Sequence, residues 1–383
     1  MNTKLWSKDF VLLLWIGFGV SLVLNMQNVV LPIYLIDIGG NAQSIGLLTG
    51  LFTFFAMLMR PIYGYLSDRK GKKYVLLLGL ALFTLVTLLF SFKVSVLGLL
   101  FLRVFQGIGF SGQNTATGAM IPDIVEGPKL TKAFGYAFIA GTLASAFGPL
   151  VALALKGTLG YPFFFFLVFV VSFTSLVAVF PLSNVTPIHS GEAFSLKNFI
   201  ETTALRASLI IFLTGVGLSS VFTFLVPYAI SLGIVNIGLF FTVYAFTNFV
   251  GIKVPELLSF FNDQGTLIIG ILSNLVAYLI LAFSTQLNHF LVSAFFIGFG
   301  FGALMPTLQS IAVKDAKIDR RGAATATFFS SMDLSFTVGA ITIGFLANSI
   351  GMSTVYILAS LLSLSTLVLY FYILHPTLKK ASI

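Results

Sequence analysis

Read for the spacing of apolar and polar positions, the chain is a train of long apolar blocks separated by short polar ones. The blocks fall at 10–36, 43–66, 74–93, 96–121, 133–155, 161–182, 206–230, 235–258, 266–286, 289–312, 322–347 and 352–374. Within each block the apolar residues are continuous rather than alternating. A helix needs about 20 such residues to cross a bilayer, whereas a membrane β-barrel would show short segments of alternating character. The pattern predicts an all-α membrane protein with twelve transmembrane helices. The longest gap, 183–205, holds Pro, Ser, Asn, Glu and Lys. It divides the chain into an N-terminal six-helix bundle at 1–182, a linker at 183–205 and a C-terminal six-helix bundle at 206–383.

Composition agrees with the pattern. Only 9% of the residues are charged, where a soluble domain carries roughly 25%. Mean hydropathy is +1.04, and there are 43 Phe. Cysteine is absent, which excludes disulfides and thiolate metal sites. The first apolar block is too long for the core of a cleavable signal peptide.

The formal net charge of +9 raises the question of a nucleic-acid partner, but the cations lie in short loops between blocks. With both termini placed in the cytoplasm, sixteen Lys and Arg fall on the inner side and two, Lys93 and Lys156, on the outer side. That asymmetry is the positive-inside bias of a plasma-membrane protein. Partners are therefore expected to be the lipid bilayer and a small-molecule substrate, with no nucleic acid.

The two halves echo each other. A shift of 191 residues lays Gly107 and Gly109 on Gly298 and Gly300, and Gly148 on Gly339. Duplicated halves are a recurring plan among secondary transporters.

Residues 64–73 read GYLSDRKGKK. A loop that only set topology would account for the cations, but not for Gly64, Asp68 and Gly71 at these spacings. The decamer resembles the signature loop of the major facilitator superfamily, G-x-x-x-D-R-x-G-R-R/K, at every specified position. The resemblance extends over the whole chain and implies two pseudo-symmetric bundles around a central cavity, worked by alternating access. It implies that Gly64, Asp68, Arg69, Gly71, Lys72, Lys73 and Asp123 form a cytoplasmic gate, with Arg69 paired to Asp123. The equivalent stretch of the second half carries Asn262 and Asp263 in place of Asp and Arg, so a weaker second latch is expected.

Two further stretches resemble motifs of the same superfamily. In LFLRVFQGIGFSGQ, Arg103, Gln106, Gly107 and Gly109 match a motif whose Arg is linked to proton movement. Counting 1.5 Å per residue places Arg103 about 10 Å below the outer surface. A helix-anchoring Arg that reaches to the interface is the plainer alternative. In GYAFIAGTLASAFGPLVALAL, Gly135, Gly148 and Pro149 match the antiporter motif, while Ala144 and Ala152 stand where the family often has Gly. The match points to export, and the departures weaken it.

Asp333 lies about 16 Å along its block from Gly322, near the bilayer midplane, and no His lies at that depth: His289 is the first residue of its block, and His189 and His375 fall outside the blocks. Asp333 with Arg103 is the expected proton-coupling pair. The alternatives for Asp333 are a partner for a cationic substrate and a structural carboxylate bonded to Ser330 or Ser331. Polar residues inside the cavity-facing spans are the substrate-binding candidates: Asn25, Asn28, Gln106, Gln113, Asn114, Thr223, Tyr244 and Asn248. Arg103, Gln106, Phe110, Gln113 and Asn114 fit one helix face at steps of three and four.

The expected function is secondary active transport, with protons as coupling ion and efflux of a small amphiphilic or weakly cationic compound. The alternatives are a symporter, or an exporter of a sugar, metallophore or amino-acid derivative. A membrane enzyme would need paired Asp, Ser with His, or metal-binding His, and none is arranged so. No Walker phosphate loop, metal-ligand cluster or cofactor motif is present. The family default is a functional monomer.

Overall fold

The computed structural model describes residues 6–125, 130–183, 200–257, 263–314, 316 and 321–374. The sequence-read linker and Asn262 lie largely or wholly outside these residues. Among them there is no strand. The helices are α1 (Lys8–Asp37), α2 (Ala42–Lys70), α3 (Lys72–Leu89), α4 (Val96–Ile124), α5 (Leu130–Leu159), α6 (Tyr161–Val177), α7 (Leu205–Ser231), α8 (Gly238–Leu257), α9 (Asp263–Ala282), α10 (Leu287–Lys314) and α11 (Arg321–Leu369). Among the described residues, nine helices are long and apolar enough to cross a membrane, and two shorter apolar helices accompany them. Their outward faces are apolar too: Leu97 is 78% exposed and Phe246 70%. Apolar surface of this extent on helices long enough to cross a membrane fits a lipid surround.

The ends of the helices follow local chemistry. Ser7 and Ser95 cap α1 and α4 by accepting hydrogen bonds from the amides of Phe10 and Gly98, which satisfies donors the first turn leaves open. α11 covers the last two apolar blocks in one run, and its backbone leaves helical values only at Gly351, with φ 78° and ψ 160°. Gly160, the single residue between α5 and α6, adopts φ 71° and ψ 167°. These two glycines are 191 residues apart (351 − 160), the same shift that relates the sequence halves. Both sit in a region that an L side chain resists.

The described residues fall into two compact units, one within Met1–Gly39 and Leu51–Phe194, the other within Gly40–Gly50 and Ser195–Ile383. In the first unit α4 lies directly on the backbone of α3. A Cβ added at Gly109 would stand 2.8 Å from the Gly79 carbonyl oxygen. In the second unit α10 meets α9 in the same way, 2.7 Å separating a Cβ at Gly300 from the Gly270 carbonyl oxygen. Gly79 and Gly270 are again 191 apart (270 − 79). Small residues allow such backbone contact inside a membrane, where apolar burial does not itself drive helices together. The second unit also holds the first turns of α2, with Ala42 and Gly46 against Gly344 and Ala340 of α11.

Candidate functional site

Within the first unit, α4 carries a cation into the apolar interior. Arg103 is 1% exposed and Gln106, one turn on, is fully buried. The Arg103 guanidinium donates from Nη1 to Gln106 Oε1 at 2.7 Å and from Nη2 to Asn28 Oδ1 at 2.8 Å. Gln106 donates in turn from Nε2 to Gln27 Oε1 at 2.5 Å. The guanidinium carbon lies 4.7 Å from the centre of the Phe52 ring, close enough for the ring's negative face to stabilise the charge. Phe52 is itself 5.4 Å from Phe110. A charge placed this deep is expensive and is held by every polar group within reach.

The structure thus brings together three of the sequence-read residues, Arg103, Gln106 and Asn28, and adds Gln27. It leaves others of the same list outside the network. Asn25 turns back to its own helix and donates to the Ser21 carbonyl at 2.8 Å. Gln113 donates to Thr117 at 3.0 Å, and Asn114 is exposed. Gln27 was missed because it sits between Asn25 and Asn28, and a bare sequence does not say which of three neighbouring polar residues faces α4. Its signal was positional: a Gln in span one, reachable from the glutamine that follows Arg103 by one turn.

At the α2–α3 junction Gly71 has φ 96° and starts α3 at once. The expected pairing of Arg69 with Asp123 is corrected. Asp123 Oδ2 is paired with Lys72 Nζ at 2.6 Å, and Lys72 also donates to the Ala119 carbonyl. The physical reason is the turn: Lys72 belongs to α3, which packs along α4, whereas Arg69 remains on α2 and lies over the Tyr65 ring one turn back, 4.7 Å away. Lys73 donates to the carbonyls of Phe180 and Leu182, placing its charge where the α6 end leaves acceptors open. The backbone at Asp68 is helical, and its side chain lies outside the described residues. Apart from its own stretch of helix, nothing among the described residues lies within 4 Å of a Cβ built at Gly64.

On α5, Gly148 is in close contact with α1, where a Cβ would meet Asn25 Cβ at 2.9 Å. The helix runs on through Pro149. Gly135 is exposed, and a Cβ there would meet nothing within 4 Å.

In the second unit Thr223, Tyr244 and Asn248 are buried. Tyr244 stands edge-on to Phe222 at 5.2 Å, and Asn248 donates to the Gly298 carbonyl at 3.4 Å, a bond that ties α8 to α10. Asp333 is half-buried on α11, and Thr337 donates to its backbone carbonyl at 3.0 Å. Ser331 donates to the Thr327 carbonyl.

Comparison with known proteins gives the family. The model of the Major Facilitator Superfamily matches residues 13–263 and 237–382. The chain is 28% identical over 338 residues to a multi-drug resistance efflux pump PmrA homologue of Lactococcus lactis, covering 82% of each chain. It is 24% identical over 377 residues to the staphylopine export protein of Staphylococcus aureus, covering 93% of each. Among solved structures it superposes on the nucleoside transporter NupG with a TM-score of 0.81 at 13% identity, over 94% of this chain and 99% of that one. A polytopic apolar chain of this fold, matched along its length by the family model, is a transporter and not an enzyme: it belongs to the Major Facilitator Superfamily.

Proposed function

We propose that this chain is a secondary active exporter of the cell membrane, with both termini cytoplasmic, working by alternating access as a monomer. With the two arms of α11 counted separately, the helices make twelve spans in two six-helix halves joined by the 183–205 linker. Protons moving inward drive a small amphiphilic or weakly cationic compound outward. Asp333 is the carboxylate that takes up and releases the proton, and Arg103 is the fixed positive charge of the cavity. Asn28, Gln106, Thr223 and Tyr244 contribute to the substrate path, and the loop around Gly71, with Lys72 and Asp123, forms part of the cytoplasmic gate.

The observation that carries this reading is the buried Arg103 with its shell of amides. A structural helix bundle in lipid gains nothing from an interior guanidinium, whereas a charged cavity wall is functional by default. Two relatives matched over most of their length, an efflux pump and an export protein, support the outward direction. The second of them, a staphylopine export protein, also favours a narrower reading, export of one compound rather than of many drugs.

The test is uptake of a fluorescent cation such as ethidium into inverted vesicles under an imposed proton gradient. Gradient-dependent uptake by the wild type, lost in Asp333→Asn, is expected. Uptake that survives the substitution removes Asp333 from the coupling role. No uptake by wild type counts against a broad drug exporter.

A further inference from the structure

The network around Arg103 is unbalanced, and the imbalance has a sign. A guanidinium has five N–H donors and no acceptor. Among the described residues Arg103 meets two acceptors, both neutral amide oxygens. Its Nε is buried without a partner, and so is the Nε2 of Gln27. Both orphans are donors. The three amide oxygens of the cluster, on Gln27, Asn28 and Gln106, are already accepting. What the cluster lacks is a further acceptor with negative charge.

The first half of the sequence does not supply one nearby. Its acids are Asp9, Asp37, Asp68, Asp123 and Glu126. Asp123 is twenty residues along α4 from Arg103, about 30 Å at helical rise, and Asp37 is nine residues past Asn28, about 14 Å. A buried charge left uncompensated is costly, so a site of this kind invites an anion that arrives and leaves.

The geometry says where it docks. The Nε and Nη2 edge of a guanidinium matches the two oxygens of a carboxylate in a two-bond fork. On Arg103, Nε is empty and Nη2 is occupied only by Asn28 Oδ1. Asn28 is exposed while Arg103, to which it is bonded, is buried, so Asn28 is the member of the pair within reach of an arriving compound. We infer that the Arg103 guanidinium is the docking point for a carboxylate on the transported compound, whose two oxygens take the Nε and Nη2 positions, one of which Asn28 Oδ1 holds in this structure. The substrate class is therefore an amphiphile with a carboxylate, in addition to any cationic group. This rests on the transporter reading and narrows its substrate.

The test is equilibrium binding to the full-length protein in detergent, read by fluorescence polarisation. The probes are a xanthene dye with a free benzoate and the methyl ester of the same dye. Wild type should bind the free acid about tenfold more tightly than the ester, the low end of what a hydrogen bond to a charged group contributes. Arg103→Gln should bring the ratio to about one. Because that variant can fail to fold, Asn28→Asp is the second arm. It places a carboxylate on the fork permanently and should also abolish the preference. Wild type that binds the ester as tightly as the acid, or does not bind the acid, overturns the proposal, as does an Asn28→Asp protein that keeps the preference. Failure of gradient-driven uptake with the preference intact would remove proton-coupled efflux and leave this assignment standing.

Discussion

At the scale of single residues, the interior amides are where substitution should matter most. Gln27→Leu removes the acceptor for Gln106 Nε2 at a fully buried position. The orphaned amide should cost about 1–3 kcal/mol, seen as a lower midpoint in thermal unfolding of the detergent-solubilised protein. Lys72→Ala breaks the ion pair with Asp123, but the partners are 22% and 21% exposed. Its loss should change stability by no more than about 1 kcal/mol, so any larger effect on transport would point to the gate rather than to folding. Arg103 was legible in the sequence because a lone cation inside an apolar block has few structural excuses. Gln27 and the Lys72–Asp123 pair were not. Four cations within five residues look interchangeable as text, and only the turn at Gly71 decides which of them reaches α4.

At the scale of helices, packing depends on glycine in some places and not in others. Gly109 lies against the backbone of α3, and Gly135 faces open space. Gly109→Ala should destabilise by about 1–3 kcal/mol because backbone cannot move aside as a side chain can. Gly135→Ala should be neutral or stabilising by up to about 1 kcal/mol, since Ala is the better helix former. Thermal unfolding of the two variants side by side checks both. The 191-residue echo is visible in the sequence through Gly107 and Gly109, but nothing in the sequence marks Gly79 and Gly270 as contact points or Gly160 and Gly351 as joints. A glycine that permits close approach and one that permits a turn are the same letter, and their role depends on what lies opposite.

At the scale of the whole molecule, composition alone placed the chain in a bilayer, and the charge asymmetry of its loops set an orientation. A fluorescent-protein fusion after Ile383 should glow, and an alkaline phosphatase fusion there should be inactive, if the C-terminus is cytoplasmic. The assignment of residues 40–50 to the second unit was not readable. It rests on small residues, Gly46, Ala340 and Gly344, that carry no charge or pattern to announce a contact.

The single-glycine joints bear on how the molecule can move. Each residue of a chain has only two soft torsions. α5 is joined to α6 through Gly160 alone, and the two arms of α11 meet at Gly351 alone, so each connection has almost no slack. By contrast, α3 and α4 are separated by residues 90–95. A displacement of one helix in a tightly joined pair is delivered to the other as a lever delivers a stroke. The facing ends of each such pair must therefore shift together, while the angle between the two helices is left to the torsions of one glycine.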